Sequence, residues 1–368
     1  MTAITEPAFS PQSSSDAASV VKLTPAPERV LVKEVNWLGD LVISLPALKA
    51  VRRAFPQARL SVLVKEELAS FFDGARWIDE VIAYKLSRGA RGIAERLSII
   101  GRIRAGHFDL AVLFPNSFEA ALWAAMGGVT RRAGFARDGR GFLLTHKSRP
   151  TPQVLATHQV HYYLEMLRRT LGVDGDAADY GLDVHEPHRL RMRAWLAANR
   201  KRPRGRLFVL APAAAYGPAK EWPADHYAEL IDILADRFGA ECVLIGAPAE
   251  RAKCEGIAAA SKQGAIVAAD EANIGEVVAL LSLADGFAGN DSGAMHLAGA
   301  IGIPTVGIFG STSPARTAPL GPRTKMIYRR IECSPCLART CRFGHYRCLT
   351  RISAEEVAQS LEELGAAS

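Results

Sequence analysis

Carboxylates, a lysine and an Asp-Ser-Gly helix opening stand in this sequence where apolar runs come to an end. Asp40 follows the run Val30 to Val35 and Gly39, where the chain turns into a helical stretch. A carboxylate there either caps the helix or takes the proton of a hydroxyl held within about 3 Å. Lys220 lies in Tyr216-Gly217-Pro218-Ala219-Lys220-Glu221-Trp222-Pro223, the loop after the run Leu207 to Ala211. It is either a solvated loop lysine or a fixed cation for charge that develops during a reaction. Glu250 follows Leu244-Ile245-Gly246-Ala247-Pro248-Ala249. There it either complements a helix dipole or accepts hydrogen bonds from ribose hydroxyls. The densest signal is Asn290-Asp291-Ser292-Gly293-Ala294-Met295-His296, followed by the strand-like run Thr305 to Phe309 and then Gly310-Ser311-Thr312. A helix opening near Ser292 offers unpaired N–H groups and a positive dipole end, which suit a phosphate. His296, one turn beyond Ser292, either orients Asp291, touches that phosphate or fills the core.

These residues need strands that end where they begin. In the first half, strand-like runs Val30 to Val35, Leu60 to Val64 and Leu110 to Phe114 alternate with helical stretches Leu41 to Phe55, Glu66 to Phe72 and Phe118 to Met126. A helical stretch from His158 to Leu171 closes that half. In the second half, Leu207 to Ala211, Cys242 to Ile245 and Thr305 to Phe309 alternate with helices near His226 to Phe238, Ala249 to Ala260 and Ile274 to Leu283, before a last amphipathic helix, Glu355 to Leu364. Such alternation predicts parallel sheets built from βαβ units, hence an α/β fold. Between Asp174 and Gly205 the chain turns polar, with Pro187 and Pro203. The interdomain connection is therefore expected at 186–204, with Leu190 to Asn199 helical. This gives domains 28–185 and 205–368, and a disordered Ser/Pro/Ala/Thr-rich tail over 1–27.

With 368 residues the chain exceeds the usual size of a single core. It has no uninterrupted apolar stretch of the length a transmembrane helix needs. Its start lacks the basic and apolar segments of a secretory signal, so a cytoplasmic location is expected. The formal net charge of +7 suits an anionic partner. No nucleic-acid motif is present and aromatics are only 7%, which favours a membrane surface or anionic glycolipid over nucleic acid. Arg131, Arg132, Arg137 and Arg140, in a Gly-rich basic stretch, are candidates to grip its anionic groups bidentately; a solvated basic face is the alternative.

The residues around Asp291 resemble the signature of the ADP-heptose:lipopolysaccharide heptosyltransferases, and the resemblance runs from about Val30 to Val357 in the family's order. Val35-Asn36-Trp37-Leu38-Gly39-Asp40-Leu41-Val42 with Leu45-Pro46-Ala47-Leu48 is similar to the family's opening strand-loop-helix. Tyr216 to Pro223 resembles its phosphate-binding loop. The resemblance implies a GT-B fold of two Rossmann-like domains facing across a cleft, the N-terminal one binding acceptor and the C-terminal one ADP-heptose. It implies an inverting transfer of heptose without a cofactor, onto a lipopolysaccharide inner-core glycolipid at the cytoplasmic face of the inner membrane, with which the protein makes peripheral contact. It makes Asp40 the expected general base and Lys220 the cation for the departing diphosphate, in a loop shaped by Tyr216 and Gly217. Glu250 would meet the ribose and Asp291 the heptose hydroxyls, while Ser292 and Gly293 donate to the diphosphate. Ser311 and Thr312 would add polar contacts. One departure is Pro212-Ala213-Ala214-Ala215, where the family usually shows Pro-Gly-Ala-Glu.

Cys333-Ser334-Pro335-Cys336, Cys341 and Gly344-His345-Tyr346-Arg347-Cys348 resemble the tail of the heptosyltransferase II branch. That branch acts on the first heptose. Other acceptors, a Kdo-type sugar, a third heptose or a protein, stay open, as does a noncatalytic nucleotide-sugar binder. The four cysteines and His345 contain enough ligands for tetrahedral zinc. The resemblance accounts for them without a metal, so no metal is expected and a buried thiol cluster or a disulfide is the preferred reading. No Asp-x-Asp pair stands out as a metal site.

Overall fold

The computed structural model describes residues 23–366 apart from Asp270. Most of the tail expected over 1–27, residues 1–22, lies outside the described residues. Residues 23–27 are placed, and the Pro25 carbonyl accepts from Arg131 at 2.6 Å.

The strands of the first half are β1 (Arg29–Lys33), β2 (Arg59–Lys65), β3 (Glu80–Tyr84), β4 (Leu110–Leu113), β5 (Arg131–Phe135) and β6 (His146–Ser148). They form one parallel sheet in the order β3-β2-β1-β4-β5-β6. The second half supplies β7 (Leu207–Ala211), β8 (Glu241–Leu244), β9 (Ile266–Val267), β10 (Gly286–Asn290), β11 (Thr305–Phe309) and β12 (Thr324–Tyr328). Their order, β12-β11-β10-β7-β8-β9, is the same winding seen from the other edge. The central strands are apolar along their whole length because helices cover both faces of a parallel sheet. Val30, Leu31 and Val32 in β1 and Phe208, Val209 and Leu210 in β7 are fully buried.

In each sheet the winding reverses between the first and fourth strands. A crevice opens there at the strand carboxyl ends. In the first sheet it lies between β1 and β4, and in the second between β7 and β10. The helix after β1 is Leu38–Ala54, and the helix after β10 is Gly293–Ile301. These helices pack against each other at their N-terminal ends. A Cβ on Gly39 would stand 3.0 Å from His296 Cδ2, and one on Gly293 would stand 2.7 Å from Leu38 Cβ. Glycine at both positions lets the helices approach this closely. His158 extends the contact between the halves, its Nε2 lying 2.9 Å from the Ala318 carbonyl.

Most expected elements are present within a few residues of their sequence bounds. Glu66–Phe72 is a 3-10 rather than an α-helix. The stretch expected as an interdomain connection is mostly helix, Glu186–Asn199, with Pro187 in its first turn, where a missing N–H costs nothing. Pro46 lies well inside the Leu38–Ala54 helix. The basic stretch from Arg131 to Arg149 holds β5 and β6, whose polar outward positions hide the strand signal.

Gly293→Ala is expected to destabilise the fold by on the order of 1–3 kcal/mol, because Leu38 Cβ cannot rotate away from the added methyl. Urea unfolding followed by circular dichroism measures it. An unchanged midpoint would show that the helices have room to spare.

Candidate active site

The two crevices face one another across the helix contact and place the chemistry-bearing residues together. Lys220, on the loop after β7, lies with its Nζ 2.5 Å from Asp291 Oδ2, just beyond β10. Thr312 Oγ1 donates to the same oxygen at 2.6 Å. Both charged side chains are mostly buried, which strengthens their attraction. The Lys220 ammonium also lies 5.0 Å from the centre of the Tyr216 ring. Tyr216 is fixed by its hydroxyl, which donates to the Leu337 carbonyl at 2.6 Å. Ser292 Oγ, next in sequence to Asp291, and Ser311 Oγ, next to Thr312, are buried and carry no hydrogen-bond partner among the described residues. Buried hydroxyls without partners are costly and mark places where a polar ligand fits.

Asp40 sits in the first turn of the Leu38–Ala54 helix. Its Oδ1 accepts from Gln159 Nε2 at 3.2 Å, and Gln159 also reaches the Tyr163 hydroxyl at 3.3 Å. Burial pushes the Asp40 carboxyl up to about 6, against the pull of Lys220 and with added repulsion from Asp291. The three charges therefore feel one another. Asp40 opens onto a pocket of about 290 Å³ lined by Asn36, Trp37, Asn116, Arg137, Tyr162 and Arg316, among others. Its wall is braced from below: Tyr84 donates to Asn36 Oδ1 at 2.9 Å and Tyr162 to Asn116 Oδ1 at 2.9 Å.

The other expected site residues divide. Of the four arginines, Arg137 lines the pocket. Arg131 donates to the carbonyls of Asp109 and Pro25, and Arg132 to those of Leu143 and Val129. Arg140 is fully buried and donates to the carbonyls of Phe135, Pro115 and Leu113. A buried guanidinium needs acceptors on every side, so Arg140 braces the loop after β4 instead of facing a ligand. Glu250 Oε2 accepts from its own loop, the Ala247 N–H, at 2.7 Å. His296 is buried against Gly39, and burial drives its imidazole down to about 4. It is neutral and fills the seam between the helices. Among the described residues no hydrogen bond joins it to Asp291. In the Pro-Ala-Ala-Ala departure, the Ala214 N–H donates to Glu221 Oε1 at 3.3 Å, so a later glutamate serves that loop.

Sequence reading missed Gln159, Asn116 and Arg316. Asn116 carried a signal, a polar residue directly after the apolar run that forms β4. Gln159 and Arg316 reach the site from distant elements, and nothing local marks them. Asp174-Gly175-Asp176 is an Asp-x-Asp that reading passed over. It lies beside Arg53 and Asp179. Arg53 is roughly 20 Å along the helix from Asp40, at about 1.5 Å per residue.

The profile of glycosyltransferase family 9 (heptosyltransferase) matches residues 96–347. The chain belongs to this family. It is 28% identical to lipopolysaccharide heptosyltransferase 2 of Escherichia coli strain K12, covering 92% of this chain and 98% of the relative. It is 26% identical to lipooligosaccharide heptosyltransferase 2 of Haemophilus ducreyi, covering 91% and 99%. The solved structure of E. coli ADP-heptose lps heptosyltransferase II superimposes with a TM-score of 0.77 at 25% identity, covering 91% of this chain and 98% of that one. The fold is thus the GT-B arrangement that the sequence led us to expect, and the protein is a glycosyltransferase. Among the described residues no helix is long and apolar enough to cross a membrane.

Lys220→Met strands the Asp291 carboxylate with Thr312 as its remaining side-chain donor, and is expected to cost about 3–5 kcal/mol of stability. The double variant Lys220→Met/Asp291→Leu should recover part of that loss. Denaturant midpoints for the cycle decide it; additive losses would mean the pair does not act as a unit.

Proposed function

We propose that this protein moves L-glycero-D-manno-heptose from ADP-heptose to the first heptose of the lipopolysaccharide inner core, as a heptosyltransferase II. The names of its relatives in E. coli and H. ducreyi support this reading. The observation that carries it is the arrangement of Asp40, Lys220 and Asp291 at the facing crevices, with Asp40 on the pocket and the Lys220–Asp291 pair at a helix N-terminus. In this reading residues 28–185 bind the acceptor, 205–368 bind ADP-heptose, and 186–204 connect them.

Asp40 acts as the general base. A carboxyl near 6 is ionised at neutral pH yet basic enough to share the acceptor proton as attack proceeds. The acceptor oxygen attacks the anomeric carbon from the side opposite ADP, the bond to the diphosphate oxygen breaks, and the configuration inverts in one displacement. Lys220 meets the charge that grows on the leaving diphosphate. The free N–H groups at the start of the Gly293–Ile301 helix and the Ser292 hydroxyl add fixed donors. Asp291 holds Lys220 in place before the donor arrives and turns toward heptose hydroxyls once it is bound. Glu250 receives the ribose, and Arg137 an anionic group of the acceptor. No cofactor takes part. A net charge of +7 draws the protein to the anionic cytoplasmic face of the inner membrane, where its lipid-linked acceptor lies.

Asp40→Asn is expected to lower kcat by roughly 10²–10⁴-fold while ADP-heptose binding persists. Wild-type kcat/KM should fall as pH drops through about 6, because the base works only when ionised. ADP release assayed with Kdo2-lipid A and with its monoheptosylated form tests both points and the acceptor. Turnover on Kdo2-lipid A alone, or full activity in Asp40→Asn, would sink the reading.

A further inference from the structure

Outside the residues of the cleft, three parts of the chain converge on a pair of imidazoles. Asp73 ends the 3-10 helix Glu66–Phe72 of the first half. His185 is the N-cap of the Glu186–Asn199 helix, which joins the halves, and His188 lies in its first turn. Glu276 comes from the first turn of the Ile274–Leu281 helix, in the second half. Two glycines permit the convergence. A Cβ on Gly74 would stand 2.4 Å from the Asp183 carbonyl oxygen, and one on Gly275 would stand 2.8 Å from His188 Nε2. Trp77 Nε1 ties the Asp73 side down by donating to Asp183 Oδ2 at 3.0 Å.

The side chains that meet here are the ones that ligate borderline metal ions. Asp73, His185 and His188 each offer one ligand atom, and the three atoms lie within 4.8 Å of one another. His188 Nε2 is 2.7 Å from Asp73 Oδ2, and the two imidazole rings stand 4.7 Å apart between centres. His185 Nδ1 is buried and has no hydrogen-bond partner among the described residues. A buried polar atom left in that state is costly and calls for a reason. The other nitrogen of His188, Nδ1, faces Glu276 Oε1 at 3.9 Å. Glu276 is 2% exposed and pairs with Arg191 Nη1 at 2.5 Å, yet its Oε1 accepts no aligned hydrogen bond. A carboxylate behind the far nitrogen of a histidine is the arrangement that orients metal-bound imidazoles.

We propose that Asp73, His185 and His188 bind one divalent cation of the zinc class, with Glu276 orienting His188, and that the ion clips the first half to the connecting helix. Two imidazoles and a carboxylate suit zinc, whereas calcium and magnesium take oxygen ligands. Ligands at about 2.1 Å round a tetrahedral ion stand about 3.4 Å apart, so Asp73 must draw back from His188 by roughly 0.7 Å. Asp73 is exposed, and water from that side takes the fourth position. The positive ends of two helices oppose a cation here, and the carboxylates of Asp73 and Glu276 offset them. None of these residues is assigned a part in transfer. The competing donors are the tail cysteines Cys333, Cys336, Cys341 and Cys348. They are free thiols and three are only partly buried, so neither a disulfide nor a buried thiol cluster describes them.

Tag-free full-length protein, stripped with a chelator and titrated with zinc by calorimetry, is expected to bind about one ion per chain. Its Tm should rise with zinc concentration, because the ion binds only the folded state. Cobalt in place of zinc should show visible d–d bands without the near-ultraviolet charge transfer of a thiolate. His185→Ala should lose the ion. Asp73→Asn should lose it too, and it keeps an acceptor for His188, so it should fold as the wild type does. Glu276→Gln, which can still accept from the Asn273 N–H, should weaken zinc binding by about 10–100-fold. The absence of saturable zinc binding overturns the proposal. A thiolate band in the cobalt protein overturns it by placing the ion in the cysteine tail, and zinc affinity unchanged in all three variants does the same by removing its ligands. None of these readouts depends on transferase activity.

Discussion

Two helix N-termini meet where Gly39 lies against His296 and Gly293 against Leu38, and the site depends on that contact. Each terminus carries partial positive charge and N–H groups without helical partners. Bringing two such ends together is unfavourable unless negative charge accompanies them. The chain supplies it as Asp40 in the first turn of one helix and Asp291 just before the other. A side chain on either glycine would push the helices apart and separate the carboxylates they carry.

Charge balance in the cleft follows from this geometry. Lys220 offsets Asp291 directly at 2.5 Å and pulls more weakly on Asp40. Asp40 is left partly uncompensated in a half-buried setting, which is why its carboxyl rises toward neutrality while a surface aspartate would not. His296 is kept neutral by burial, which outweighs the pull of Asp291, with smaller repulsion from His158 and Lys220. The buried hydroxyls of Ser292 and Ser311, without hydrogen-bond partners among the described residues, leave room for a further polar group at the Asp291 end of the cleft.

The donor-side loops are not self-supporting. Tyr216, Ala219 and Ser311 are all tied to the irregular segment that follows β12. Residues more than a hundred positions away in the chain thus set where Lys220 stands. Arg140 does the same for the pocket side, spending its buried guanidinium on the carbonyls that shape the loop after β4. In both cases much of the polar apparatus goes into holding backbone in place.

The sequence by itself determined the two α/β halves, because a strand buried on both faces must be apolar throughout and leaves a run that can be read locally. It also determined Asp40, Lys220 and Asp291 as candidates, since polar residues that end such runs fall at strand carboxyl ends by construction. It did not reveal which arginines face solvent. Arg137 and Arg140 are alike in sequence, yet one lines the pocket and the other is buried among carbonyls. Gln159 and Arg316 were equally invisible, since they reach Asp40 and its pocket only after distant elements pack. What stands against the His296 ring was set by a helix from the other half of the chain, through Gly39. Local sequence fixes where a side chain leaves the backbone; only tertiary packing decides what stands opposite it.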